Sequence, residues 1–316
     1  MRVPPPRIPH GRTARRVQWA HLPPRVRAAI ERRLGGTVAS AQSQDGGFTP
    51  GFASVLTLED GSRHFVKAAS GTAQRAFAAS YRDEAVQARG PPGRRTDPAG
   101  CCGPTTSRTG SCSPPSTSRR APRTALGPTT TWPSPRSLTL TTAAALTPAP
   151  TGATSAAEEF ASWPGLWDVI DHPRAAEIGA LAAACTEVVT GDTLAHTDVR
   201  DDNILIVADG AGERALLCDW NWPVRGPAWL DSLLLLVGPR GDGLDVEAHL
   251  AAHPLLSGVP SEEIDVVLAL VLGYFTASAA QRVPPTSPYL RAAQAWQRDV
   301  IDDWLAERRG WRTEAR

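Results

Sequence analysis

Residues 194–207 read LAHTDVRDDNILIV, and after a short turn residues 215–220 read ALLCDW. A polar loop thus leads into two short apolar runs, a pattern that predicts a β-hairpin with an acidic residue just past its second strand. The hairpin would bring Asp198, Asn203 and Asp219 to one end of a small sheet. Carboxylate and amide oxygens suit Mg²⁺, which proteins normally share with the phosphates of a substrate.

The order His-x-Asp-x-x-x-x-Asn, followed by a strand pair and an aspartate, resembles the catalytic segment of the protein-kinase-like phosphotransferases. It most closely resembles the aminoglycoside phosphotransferase family of small-molecule kinases. The resemblance implies that Asp198 accepts the proton of the substrate hydroxyl, and that Asn203 and Asp219 are the metal ligands. It also implies that His196 braces the catalytic loop and that Arg200 contacts the γ-phosphate of ATP.

The acidic loop has a second interpretation. Asp198, Asp201 and Asp202 are also the residue types that form a solvated, helix-capping turn. The joint spacing of the loop and the apolar hairpin favours the catalytic interpretation. Asp231 matches a family aspartate that opens a helix behind the catalytic loop, and we interpret it as structural.

Lys67 is the only lysine in the chain. It lies near the end of an apolar run, residues 63–68, which follows a hairpin turn. The family resemblance makes it the lysine that contacts the α- and β-phosphates of ATP. A lysine at a strand edge also serves to prevent edge pairing. Its uniqueness in an arginine-rich chain favours the nucleotide-binding role, because the compact ammonium of lysine and the guanidinium of arginine are not interchangeable.

Two further elements complete the predicted nucleotide site. Gly46 and Gly47 lie in a glycine-rich turn between two predicted strands, where backbone N–H groups would approach the phosphates closely. Neither a Walker P-loop nor a Rossmann fingerprint is present. Downstream, residues 73–89 are predicted to form an alanine-rich helix. Glu84 on that helix resembles the glutamate that pairs with the lysine, and Asp83 is the competing candidate.

We divide the 316-residue chain into four segments. Residues 1–16 are a flexible basic arm, and residues 17–89 are an N-terminal nucleotide-binding lobe. Residues 90–142 are a low-complexity segment rich in Pro, Thr and Ser, and residues 143–316 are a C-terminal catalytic and substrate lobe. The resemblance implies an α+β, protein-kinase-like two-lobed fold, with a small N-terminal β-sheet lobe and a larger helical C-terminal lobe.

The segment 90–142 lies where the hinge of the family is expected. Its composition cannot offset chain entropy by burial. Reading each codon one base earlier necessarily converts Cys102, directly after Cys101, to Leu, and it can convert the Thr-rich run at residues 129–134 to a helix-like sequence. We therefore hypothesise two compensating frame errors near codons 90 and 143. A genuine Pro/Thr/Ser-rich linker is the alternative.

Helical spacing predicts helices over residues 24–34, 173–190 and 288–308. A further helix is predicted over residues 264–280, with Ser261 and the glutamates after it as its capping sequence. Tryptophans near the metal site are interpreted as core aromatics, with stacking on a substrate as the alternative. These tryptophans are Trp220, Trp222 and Trp229.

Composition and residue patterns argue against several classes of protein. A net charge of +1 implies no nucleic-acid footprint. The sequence contains no run long enough for a membrane span and no signal-peptide pattern, so we expect a cytoplasmic protein with no membrane partner. Its five cysteines lack metal-ligand spacing, which argues against a zinc site or a disulfide framework.

The expected reaction is ATP- and Mg²⁺-dependent transfer of the γ-phosphoryl group to a hydroxyl of a small molecule. One alternative is a catalytically impaired or non-catalytic kinase homologue, owing to the disrupted hinge segment. Another is a metal-dependent hydrolase that uses His196, Asp198 and Asp219 around a metal-bound water. The hydrolase would need more histidine ligands, and it leaves Lys67 without a role.

Overall fold

A computed structural model describes residues 13–44, 48, 51–71, 101–102, 109–112, 118–120, 148–209, 212–217, 219–220 and 222–311. Among these residues the strands are β1 (Val38–Ser43), β2 (Phe52–Leu58), β3 (Arg63–Ala68), β4 (Cys101–Cys102), β5 (Thr109–Cys112), β6 (Ser118–Arg120), β7 (Thr193–Ala195), β8 (Ile204–Asp209), β9 (Gly212–Leu217) and β10 (Val224–Gly226). The α-helices are α1 (Pro24–Leu34), α2 (Ala156–Glu159), α3 (Ala175–Ala183), α4 (Cys185–Val188), α5 (Leu230–Leu235), α6 (Val237–Gly241), α7 (Val246–Ala252), α8 (Ser261–Ala279) and α9 (Leu290–Arg308).

The N-terminal part contains an antiparallel sheet in the order β1-β2-β3-β5-β4. Its central hairpin turns at Gly61, whose φ of 83° is accessible to glycine at little cost. In the same turn, Ser62 N donates to Asp60 Oδ1 at 2.8 Å. The predicted hairpin that carries Lys67 is therefore confirmed.

Helix α1 covers one face of this sheet. Pro24 occupies its first turn, and Gly35 ends it in the left-handed conformation. Ile30 packs with Phe52 and Val66 in a buried cluster. Because side chains alternate along a strand, Lys67 lies on the opposite face of the sheet from Val66.

The described residues of the range 90–142 form three short strands. Strand β5 pairs with β3, with Gly110 opposite Lys67, and β4 pairs with β5. Strand β6 pairs with β8 in a separate sheet of order β6-β8-β9. The origin of this segment, whether linker or frame error, stays a hypothesis.

The predicted hairpin after the polar loop is also confirmed, as β8 and β9. Ile204 pairs with Leu217, so the loop before β8 and the segment after β9 leave the same end of the hairpin. A second strand pair, β7 with β10, places Ala195 opposite Val224. Residues 196–203 and the described residues 219–220 and 222–223 therefore lie between the same two sheets, which brings the predicted site residues together.

The largest buried cluster lies among the helices. Trp304 and Ile301 of α9 pack with Leu268 of α8 and Ile178 of α3. Helices α6 and α9 approach so closely that a Cβ on Gly241 would lie 2.2 Å from the ring of Trp296. No helix in the described part of the chain is long and apolar enough to cross a membrane.

Three helix boundaries differ from the predictions. The helix expected over residues 173–190 is interrupted at Ala184, whose N–H bonds the carbonyl of Leu181 in a tight last turn. Helix α8 begins at Ser261 with Pro260 at the N-cap, so Ser261 is helical rather than the cap. Helix α9 begins at Leu290, with Tyr289 at its N-cap, rather than at Pro288.

Candidate active site

The backbone of the loop between β7 and β8 is held by Asp231 of α5. Both oxygens of its carboxylate accept hydrogen bonds, from His196 N at 2.7 Å and from Thr197 N at 2.9 Å. Thr197 has a φ of 65°, a strained conformation for a β-branched residue. Burial raises the pKa of Asp231, and the neighbouring His196 only partly offsets this. These contacts agree with the structural role predicted for Asp231.

His196 is fully buried beneath this loop. Its Nδ1 accepts a hydrogen bond from Asp198 N at 3.2 Å, so Nδ1 carries no proton in this arrangement. Its ring meets the ring of Trp220 edge-on, with 4.7 Å between centroids. The side chain thus lies where a residue that braces the loop is expected.

Asp198 is engaged through its carboxylate and its carbonyl. Asn203 Nδ2 donates to the Asp198 carbonyl at 2.9 Å and to Oδ2 at 3.0 Å. Arg200 donates to the other carboxylate oxygen. Burial raises the pKa of Asp198 above its usual range, and the positive charge of Arg200 only partly offsets this.

Arg200 has three partners. It donates to Asp202 from Nε at 2.9 Å and from Nη2 at 3.2 Å, while Nη1 donates to Asp198. Its guanidinium carbon lies 5.6 Å from the ring centroid of Phe48. Burial alone would lower the pKa of Arg200, but the two carboxylates reverse this and raise it, so the group stays cationic.

Lys67 and Asp219 form an ion pair across the site. Lys67 Nζ lies 2.8 Å from Asp219 Oδ1, and the two side chains are 12% and 18% exposed. Burial alone would raise the pKa of Asp219, but the adjacent Lys67 ammonium reverses this and lowers it to about 2. The structure therefore brings the only lysine of the chain to the aspartate that follows the hairpin.

At the sequence level no protein-family profile and no curated protein matches the chain. At the level of structure it matches a choline/ethanolamine kinase family protein from Mesorhizobium loti, with 14% identity and a TM-score of 0.57. The match covers 90% of this chain and 98% of the other. The chain shares a kinase-like fold with that protein. This agrees with the α+β, kinase-like class predicted from the sequence, while the arrangement in two lobes stays a prediction.

Two macrolide 2'-phosphotransferases also match, with lower TM-scores. For MphH from Brachybacterium faecium the identity is 13% and the TM-score 0.48, over 87% of this chain and 97% of that one. For the type I enzyme the identity is 16% and the TM-score 0.44, over 93% and 94% of the two chains.

A magnesium ion fits the residues present. Mg²⁺ is commonly held by one or two carboxylates, with waters and phosphate oxygens completing its octahedron. Asp219 is ionised well below neutral pH, and Asn203 uses its amide nitrogen toward Asp198, so its oxygen is the end suited to a cation. Within the described residues, no group of three His, Cys, Asp or Glu side chains is suited to hold a metal.

Several predicted residues lie outside the described part of the chain. Gly46, Gly47, Glu84 and its competitor Asp83 are among them. Their roles in holding the nucleotide stay predictions.

The tryptophan interpretation is right for Trp220 and wrong for Trp222. Trp220 is buried, and its Nε1 donates to the Leu217 carbonyl at 3.1 Å. Trp222 is 57% exposed. Its carbonyl accepts from Thr197 Oγ1 at 2.9 Å, so its backbone is attached beside Asp198.

Sequence reasoning missed the surroundings of Arg200. The acidic-turn interpretation of Asp202 does not predict its ion pair with Arg200, although the doublet Asp201-Asp202 directly after an arginine is a visible signal for one. Phe48 follows the glycine pair in the sequence, which is a weak signal for a site residue. Nothing in the sequence indicates that Ser287 reaches Phe48.

Proposed function

We propose that this chain is an ATP- and Mg²⁺-dependent phosphotransferase that transfers the γ-phosphoryl group of ATP to a hydroxyl of a small molecule. The observation that carries the proposal is the 2.8 Å contact between Lys67 and Asp219, two residues from opposite ends of the predicted site. The kinase-like fold supports it.

Asp198 is the proposed base. Its raised pKa makes the carboxylate a better proton acceptor than an ordinary aspartate. Asn203 donates to Oδ2 and to the carbonyl of Asp198, which limits rotation of the side chain, and Arg200 holds the other carboxylate oxygen until a γ-phosphate takes its place. An alcohol that approached Asp198 would transfer its proton to one of these oxygens as its own oxygen attacks phosphorus.

Lys67 and Arg200 are the proposed phosphate-binding cations. Lys67 is held at Asp219, so it can exchange one anionic partner for the α- and β-phosphate oxygens with little movement. Arg200 is cationic and would contact the transferred γ-phosphoryl group. Asp219 and Asn203 would hold Mg²⁺, which supplies neutralisation of the charge on the phosphates when it is bound.

Trp222 indicates where the alcohol would bind. An exposed indole is a large apolar surface, and this one is attached by its backbone to the residue before Asp198. An acceptor with a flat apolar face would remove that surface from water as it approaches the base.

Calorimetric titration of MgATP tests the nucleotide site. We expect the full chain to bind MgATP, and we expect Lys67→Ala and Asp219→Ala to lose most of that binding, because each removes a charge that faces the nucleotide. Arg63→Ala, on the same strand as Lys67, and Asp60→Ala, in the hairpin turn, are matched controls that should retain it. A folded chain that does not bind MgATP would contradict the proposal.

A further inference from the structure

Phe48 connects distant parts of the chain at the candidate site. Its ring centroid lies 5.6 Å from the guanidinium carbon of Arg200. Its carbonyl accepts a hydrogen bond from the hydroxyl of Ser287, which is 2% exposed. A residue from the N-terminal part thus touches the catalytic loop and the segment before α9 at the same time.

Backbone hydrogen bonds fix the segment that contains Ser287. Ser287 N donates to the Pro284 carbonyl at 3.0 Å, and Leu290 N donates to the Ser287 carbonyl at 3.1 Å at the start of α9. The neighbouring Thr286 carbonyl accepts from Arg15 N at 3.0 Å. The hydroxyl that holds Phe48 therefore belongs to a segment whose backbone is hydrogen-bonded both before and after Ser287.

The guanidinium of Arg200 contacts two carboxylates and one aromatic ring. Asp202 accepts hydrogen bonds from Nε and Nη2, and Asp198 accepts one from Nη1. The Phe48 ring lies within cation–π distance of the guanidinium. Contact with a γ-phosphate would use the Nη1 side, because Asp202 occupies the other edge. Asp202 and Phe48 are then the partners that keep the guanidinium in place while Nη1 changes from a carboxylate to a phosphate oxygen.

We propose that Phe48, held by Ser287, is a positioning residue that orients Arg200 for phosphoryl transfer. The proposal rests on the proposed function above, and it concerns how the phosphate-binding cation is kept ready. A long arginine side chain has many rotamers, so a ring near its guanidinium and a two-point ion pair reduce the reorganisation needed at the moment of transfer.

The test uses Phe48→Leu, which keeps an apolar side chain and removes the aromatic ring. The assay is Mg²⁺-dependent ATP hydrolysis by the full chain, in which water takes the place of the alcohol. We expect kcat to fall roughly fivefold, while the KM for ATP changes less than about twofold, because the lost orientation matters mainly in the transition state. Phe48→Tyr keeps the ring and should restore kcat.

Phe275→Leu is the matched control. Phe275 lies in α8 and meets Tyr274 edge-on, away from Arg200 in the described contacts. The same chemical change there should lower the melting temperature without lowering kcat. Ser287→Ala should reproduce the kinetic effect of Phe48→Leu in weaker form, since the ring remains and only its anchor is lost.

A double-mutant cycle with Arg200→Gln shows whether Phe48 acts through Arg200. We expect Phe48→Leu to have almost no further effect on kcat in the Arg200→Gln background. An equal fall in both backgrounds would overturn the proposal, and so would an unchanged kcat in Phe48→Leu alone. Either result leaves the proposed function intact, because the parent chain would still turn over ATP.

Failure of the proposed function itself is recognised by a second measurement. The same double-mutant cycle is measured by urea unfolding without nucleotide. If the unfolding midpoints show coupling between Phe48 and Arg200 but the parent chain neither binds nor hydrolyses MgATP, the proposed function is wrong. The contact would then be structural only, and its catalytic role would be overturned with the function.

Discussion

Two buried aspartates near the same loop have opposite shifts in pKa. Asp219 faces the full positive charge of Lys67, which outweighs the cost of burial and lowers its pKa to about 2. Burial raises the pKa of Asp231, and neither the neighbouring His196 nor the two backbone N–H donors compensate for it. The residue type is the same, and the charge of the partner decides the ionisation.

This difference predicts a pH dependence for the Lys67–Asp219 pair. The folded pKa of Asp219, about 2, lies below its ordinary value of 3.8, so the pair stabilises the fold above that ordinary value. That stabilisation is lost as pH falls from about 4 toward 2. We expect the free energy of unfolding of the parent chain to exceed that of Lys67→Met by a constant amount near neutral pH. This difference should decrease as the pH falls from about 4 toward 2.

Urea unfolding at a series of pH values measures that difference. Arg63→Met, on the same strand, serves as the control and should differ from the parent chain by an amount that does not vary with pH. A difference for Lys67→Met that stays unchanged down to pH 2 would show that the two residues are not paired in solution.

At the scale of elements, close helix packing depends on small residues at the contact. Helix α6 ends at Gly241, where a Cβ would lie 2.2 Å from Trp296 and 2.8 Å from Val300 of α9. Both neighbours are buried in the main helical core. Neither a large ring nor a β-branched side chain in such a core can move without disturbing others.

Gly241→Ala is therefore expected to destabilise the chain. Overpacking of a dense core typically costs about 1–3 kcal/mol, and the close contact with the Trp296 ring places this site at the upper end. Gly258→Ala is the control, because a Cβ there meets nothing within 4 Å. Equal free energies of unfolding for the two variants, measured in urea, would contradict the packing argument.

At the scale of the whole molecule, the segment 90–142 joins elements that are distant in sequence. Its strand β5 pairs with β3, which carries Lys67, and its strand β6 pairs with β8, which follows the loop that contains Asp198. A composition rich in Pro, Thr and Ser offers little apolar surface to such a position. The frame hypothesis would replace it with residues more typical of strands and helices.

We therefore expect a chain with the alternative frame restored between codons 90 and 143 to bind MgATP more tightly than the chain as written. The restored segment would bury apolar surface next to the strand that presents Lys67. Calorimetry on both chains, with Lys67→Ala in each background, makes the measurement. Equal affinities in the two chains would favour a genuine linker.

Local patterns were sufficient for helix α1 and for both hairpins. Proline before and glycine after residues 24–34, and turn residues between apolar runs, specify these elements through backbone conformation alone. Residues whose spacing lies within one loop and hairpin, such as Asp198 and Asn203, could be grouped for the same reason. Helix ends such as Ala184 and Ser261 were less predictable, because neighbouring segments decide where the first and last regular turns form.

The sequence by itself determined the two hairpins, because short-range periodicity and turn residues specify them. Its resemblance to the kinase-like phosphotransferases predicted the fold class that the structure shares, and the candidate base, cations and metal ligands that this resemblance implies stay predictions. Only the tertiary structure decided that Lys67 meets Asp219, that Trp222 is exposed while Trp220 is buried, and that Phe48 touches Arg200 and Ser287. The physical reason is that each of these features depends on how segments far apart in the chain pack together. No local pattern encodes which surface another segment will cover.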